Sequence, residues 1–147
     1  PGGQPGPAEQ THGRARKDSA EAGETKMESA ASVSPAELEA GLGKTRQALP
    51  LYQHALKLDS QLSDASTTAI DAYSYGLFLR DSGLSPELAY ACLLKAQSLL
   101  QKSEPTPEFN SIVRARKELE KKLAGRSAKR SAEPEAGFRE ALALTLP

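Results

Sequence analysis

Residues 85–102 read SPELAYACLLKAQSLLQK, and this stretch decides the fold. Leu88, Ala89, Cys92, Leu93, Ala96, Leu99 and Leu100 recur at every third or fourth position, the period of one helix face. Tyr90 and Leu94 widen that face. An apolar surface on more than one side predicts neighbours on more than one side. The start is written just as plainly. Ser85 can accept a bond from a first-turn amide, and Pro86 is harmless where an N–H has no partner. Glu87 then meets the positive end of the helix dipole.

The same hydroxyl–proline–carboxylate signature recurs at Ser34-Pro35-Ala36-Glu37 and at Thr106-Pro107-Glu108. Ser34 and Glu37 also have capping-box spacing. Reading outward, the periodicity predicts helices over Pro35–Leu42, Arg46–Leu58, Asp64–Asp81, Pro86–Lys102 and Pro107–Ala124. Ser63 or Asp64 is the expected cap of the third helix, and Ser82-Gly83 its end. Pro50 conflicts with the second, because proline costs about 3 kcal/mol in a helix interior. A true start near Gln47, or a kink, is therefore expected there. No alternating β-branched run or Asn-Gly hairpin turn competes, so the class is all-α, with four or five antiparallel helices.

The apolar content is uneven. Residues 1–33 hold Met27 and Val33 as their only large apolar side chains, which predicts a disordered tail. Residues 34–125 form the expected helical domain, closed by Gly125. Residues 126–147 read as a flexible tail, although Phe138, Ala141, Leu142 and Leu144 allow a short amphipathic helix or docking peptide within 138–146.

Charge and cysteine content narrow the classes of function. The chain of 147 residues carries 19 basic and 19 acidic side chains, so no overall field draws it to nucleic acid or membrane. Cys92 is the single cysteine, which fits a reducing compartment, cytoplasmic or nuclear. No apolar run reaches the roughly 18 residues of a membrane span.

No catalytic or metal constellation stands out. With only His12 and His54 beside Cys92, no zinc spacing exists. His54 reads as a helix-face or core-edge residue, and Cys92 as packing. Gly41-Leu42-Gly43-Lys44-Thr45 contains Gly-Lys-Thr but lacks the earlier glycine and the preceding strand of a phosphate loop. It reads as a helix–helix turn with a cap at Thr45. No cofactor and no enzymatic activity are expected.

Residues 114–130 are locally basic: Arg114, Arg116, Lys117, Lys121, Lys122, Arg126, Lys129 and Arg130 face only Glu118 and Glu120. This stretch suits an acidic partner, anionic lipid or nucleic acid, and its paired basic clusters resemble a loose bipartite nuclear-import signal. The plain alternative is a solvated helix. No aromatic residues interleave the charges, which disfavours a single-strand nucleic-acid platform. Ser34, Ser85 and Thr106 each precede proline and are candidate phosphorylation sites, although capping accounts for all three.

Helix pairs of this length raise the question of repeats. Gly43, Ala48, Tyr52 and Ala55, followed by Leu58-Asp59-Ser60, resemble the second helix and exit of a tetratricopeptide repeat, with Ser60 in place of the usual proline. Tyr75-Gly76 with Leu79, then Gly83, Ala89, Leu93 and Ala96, resembles a second unit with one inserted residue. The likeness covers about 36–102. The first unit's leading helix is short and no tryptophan occurs. The Lys/Asn positions of the family's carboxylate clamp do not line up. Gly43–Leu58 also resembles part of a microtubule-interacting-and-trafficking domain. The tetratricopeptide resemblance implies stacked helical hairpins, the alternative being a small helical bundle. Together these readings predict a protein–protein interaction module, an adaptor holding a partner peptide or helix in an inter-helix groove. Leu51, Tyr52, Tyr73, Leu77, Tyr90 and Leu94 are its candidate groove residues.

Overall fold

The computed structural model describes residues 33–62, 64–101, 106–123 and 134–147. Among these the chain is helical, without strands. Helix α1 covers 33–41. It is followed by α2 (Thr45–Ser60), α3 (Ala65–Asp81), α4 (Pro86–Leu100), α5 (Pro107–Leu123) and α6 (Pro134–Ala143). Helices α3 and α4 form the central antiparallel hairpin, joined by residues 82–85. Helix α4 is the hub: it also packs against α5 and α6, while α2 lies on α3 and touches α6.

Local chemistry explains most boundaries. The Ser85 hydroxyl accepts from the Leu88 amide at 3.2 Å, and the Thr106 hydroxyl from the Phe109 amide at 3.1 Å. Asp64 caps α3, accepting from the Thr67 amide at 3.1 Å. The first triplet behaves differently. The chain is already helical at residue 33, so Ser34 lies inside α1 rather than capping it. Helix α1 is closed by Gly43, whose φ of 78° suits a residue without Cβ. There the Lys44 amide donates to Glu39 at 2.8 Å and the Gly43 amide to Ala40 at 3.0 Å, the paired bonds of a glycine C-terminal cap. The Gly-Lys-Thr stretch is thus a helix–helix turn. Its cap position is Lys44, with no side-chain bond, and Thr45 is the first helical residue. Gly83, at φ 73°, closes α3 as its sequence position implied.

Pro50 sits inside α2, which begins at Thr45 rather than near Gln47. The proline ring is exposed, so the missing N–H falls on the solvent side.

The core is built on close approach and aromatic stacking. Tyr52, Tyr75 and Phe78 form one stack, with ring centroids 5.7 Å apart for Tyr52–Tyr75 and 4.9 Å for Tyr52–Phe78. Gly76 lets α3 and α4 touch: a Cβ there would lie 3.1 Å from Leu93 Cδ2 and 3.2 Å from the Ala89 carbonyl oxygen. Ile112, Leu119 and Leu123 carry α5 onto the hub.

The chain's end departs from expectation. Residues 134–147 do not form a loose tail beyond a domain ending at 125; α6 belongs to the same core. Phe138 and Ala141 are buried, and Leu142, Leu144 and Leu146 pack against the core. The expected disordered tail, apart from Val33, lies outside the described residues, as does Gly125. Val33 is helical and buried.

Candidate functional site

Two concave features stand out, one open and one filled by the chain itself. The open one is a cleft of about 380 Å³ between α1, the start of α2, and α3. Half-buried Leu77 and the buried rings of Tyr52 and Phe78 line it, while Glu37 and Asp81 stand at its wall. Ser74 Oγ donates to Glu37 Oε2 at 3.2 Å, and Arg80 Nε donates to Asp81 Oδ1 at 2.8 Å. The electrostatics are acidic. Burial, and then the charges of Glu37 and Asp81, push the Tyr52 hydroxyl up to about 12. Leu38 on α1 and Leu42 just past its end are exposed at 63% and 61%.

The cleft gathers two of the six groove residues read from the sequence, Tyr52 and Leu77. Tyr73 lies one turn before Leu77 on the same face of α3, half-buried. Leu51 and Leu94 are half-buried against the core away from the cleft. Tyr90 is buried, and its hydroxyl donates to Glu120 Oε2 at 2.6 Å. Sequence reasoning missed Phe78, Glu37 and Asp81. Glu37 was legible only as the partner of a cap at Ser34, and the helix is already formed there.

The filled feature is the seat of α6. Its N-terminal turn is tied by Lys95 Nζ to Glu135 Oε1 at 2.6 Å, and the same ammonium sits 5.6 Å from the Phe138 ring centroid. At the crossing with α4, a Cβ on Gly137 would come within 2.6 Å of Ala91 Cβ. At the other end, Tyr75 donates to the Ala141 carbonyl. Gln53 Nε2 lies 3.1 Å from that carbonyl, 2.7 Å from the Leu144 carbonyl and 3.2 Å from the Tyr75 hydroxyl. Ala141 is among the last carbonyls of α6, and its local bond, from the Leu144 amide, is long at 3.4 Å. Burial raises the Tyr75 hydroxyl's affinity for its proton, which keeps it a donor.

The basic stretch divides. Arg114, Lys117, Lys121 and Lys122 are exposed on α5. Arg116 instead reaches back to α4, donating to Gln97 Oε1 at 2.7 Å and to Glu120 Oε2 at 3.0 Å. With Tyr90 it forms a polar clasp between α4 and α5. Arg126, Lys129 and Arg130 lie outside the described residues.

Ser34 is exposed, whereas the Ser85 and Thr106 hydroxyls accept their capping bonds. His54 is exposed on α2. Cys92 is buried in α4, and burial pushes its thiol up, away from the thiolate. Among the described residues no group of three His, Cys, Asp or Glu side chains gathers to hold a metal. No helix among them is long and apolar enough to cross a membrane.

Compared with known proteins, the chain matches no family model, no curated protein and no solved structure.

Proposed function

We propose that this chain is a non-enzymatic protein–protein interaction module, an adaptor built of tetratricopeptide-like helical hairpins. It holds a partner peptide or helix in the cleft between α1, α2 and α3. The observation that carries this reading is the cleft itself, where half-buried Leu77 and the edges of the buried Tyr52 and Phe78 rings lie beside Glu37 and Asp81. Such a surface suits an amphipathic segment that anchors an apolar side chain and presents Lys or Arg to the carboxylates. The close contact of Gly76 with Ala89 and Leu93 supports the hairpin reading, since it joins the residues on which the second repeat-like unit rests.

Peptide-display selection on the full chain tests the proposal, repeated on Leu77→Asp and on the double change Glu37→Lys/Asp81→Lys. Enriched sequences are expected to combine apolar residues with Lys or Arg and to lose binding to both variants, whose helical circular dichroism is retained. Enrichment of acidic peptides, or enrichment indifferent to both variants, would overturn it.

A second reading rests on the exposed cations of α5, Arg114, Lys117, Lys121 and Lys122, as a contact for nucleic acid or anionic membrane. Salt separates the two. Binding through these cations weakens steeply from low to physiological salt, whereas apolar anchoring in the cleft changes little.

A further inference from the structure

The seat of α6 has the chemistry of a helix-recognition site, and we propose that α6 is its exchangeable occupant. The competitor it admits is an amphipathic helix with a small residue at the crossing point and a carboxylate near its N-terminus. This seat uses side chains distinct from those of the α1–α3 cleft, so the inference stands or falls independently of the function proposed above.

Several observations point the same way. A helix of 10 residues is marginal on its own and depends on its surroundings. Here the surroundings recognise it as a helix. Lys95 takes a carboxylate of its first turn, Gln53 and Tyr75 both donate to the Ala141 carbonyl in its last turn, and Gln53 also reaches the Leu144 carbonyl just past its end. Gly137 permits backbone contact with α4 at Ala91, and Phe138 and Ala141 supply the buried face. These are the elements of helix-in-groove binding, met within one chain. The fit is nevertheless incomplete. A hollow of about 380 Å³ opens beside α6 between Leu56, Leu99, Phe138 and Leu142. A second, of about 230 Å³, lies at its C-terminal end beside Leu49, Pro50 and Leu146. A competing helix with larger apolar side chains at these places would bury surface that α6 leaves open.

Tethering explains why α6 holds the seat in the isolated chain. A segment joined to its site acts at an effective concentration on the order of millimolar, so a free copy competes poorly until the tethered one is displaced. Gly137→Leu displaces it, because a Cβ at 137 meets the Ala91 side chain, which cannot rotate aside.

The test uses the full chain and a fluorescein-labelled synthetic peptide of residues 131–147 with the natural sequence, followed by anisotropy. Full-length Gly137→Leu is expected to bind the peptide at least about tenfold tighter than the unaltered chain. Adding Tyr75→Phe to that variant is expected to weaken binding again by about tenfold, the loss of one buried hydrogen bond. A Gly137→Leu chain that unfolds cooperatively yet binds no tighter would overturn the proposal, as would binding indifferent to Tyr75→Phe. Should Gly137→Leu fail to fold, hydrogen exchange on the unaltered chain decides. Amides of α6 exchanging well ahead of those in α3 and α4 support release of the segment, and equal rates refute it.

Discussion

The Tyr75 hydroxyl donates to the main-chain carbonyl of Ala141, joining the middle of α3 to the end of α6 across 66 positions of sequence. Tyr75 is fully buried, so this bond has no water to replace it. It ties the last helix into the core, and it adds a donor to a carbonyl whose local bond, from the Leu144 amide, is long at 3.4 Å.

Tyr75→Phe is therefore expected to cost about 1–2 kcal/mol, because a buried carbonyl loses a donor while ring packing is kept. Gln53 still reaches Ala141, which holds the loss to that range. Urea unfolding followed by circular dichroism measures it. An unchanged midpoint would show that the bond contributes nothing net.

Two glycines in helices should respond in opposite directions to alanine. Gly76→Ala presses its methyl against the Ala89 carbonyl and Leu93, at 3.2 and 3.1 Å, and only the leucine can give way. A net loss of about 1–2 kcal/mol is expected, after the helix-propensity gain is offset. Gly41→Ala meets nothing within 4 Å and should gain about 0.5–1 kcal/mol. Thermal unfolding of both variants checks the contrast in sign.

The three hydroxyl–proline triplets should separate by mutation. Ser85→Ala and Thr106→Ala each remove a capping bond and should each cost about 1 kcal/mol. Ser34→Ala lies within a helical turn and should leave stability within about 0.5 kcal/mol. A loss at Ser34 equal to the other two would mean that α1 starts where the sequence pattern alone puts it.

Alkaline pH should destabilise the fold. The Tyr52 hydroxyl is raised from 10.0 to about 12, first by burial and then by Glu37 and Asp81. Between those values the folded chain keeps a proton that the unfolded chain has released, so stability falls as pH rises. Below about pH 10 this contribution is fully present; it is lost on the way to about pH 12. Urea midpoints measured across this interval should decline, and less steeply in Tyr52→Phe. Tyr75, Tyr90 and Cys92 are shifted in the same direction and leave a residual slope.

Within the basic stretch, Arg116→Ala should cost about 1 kcal/mol, because it opens the clasp to Gln97 and Glu120. Lys117→Ala, on an exposed face, should change stability by less than about 0.5 kcal/mol. Comparing the two by urea unfolding shows which cation of the stretch is structural.

The helices from α2 to α5 could be read from the chain because their information is local. Leu88, Cys92, Leu93 and Ala96 repeat at helical spacing, Ser85 and Thr106 announce starts, and Gly83 announces a stop. Pro50 was the exception: its penalty argued for a later start, but tertiary packing on both sides of it holds the first turn of α2 in place. Tyr52 and Leu77 were legible as large apolar side chains on helix faces for the same local reason. Which of the apolar side chains border a cleft was not legible: Tyr90 is held to α5 through Glu120, and only the arrival of distant helices decides that.

By itself, the sequence determined that this chain makes helices, roughly where they run, and which faces are apolar, because hydrogen bonding and side-chain period act within a few residues. Only the tertiary structure decided that α6 joins the core, that Gly76 and Gly137 are contact points, and that Glu37 and Asp81 share a cleft. Each of these depends on atoms distant along the chain being brought within a few ångströms, and no local pattern encodes which distant atoms those will be.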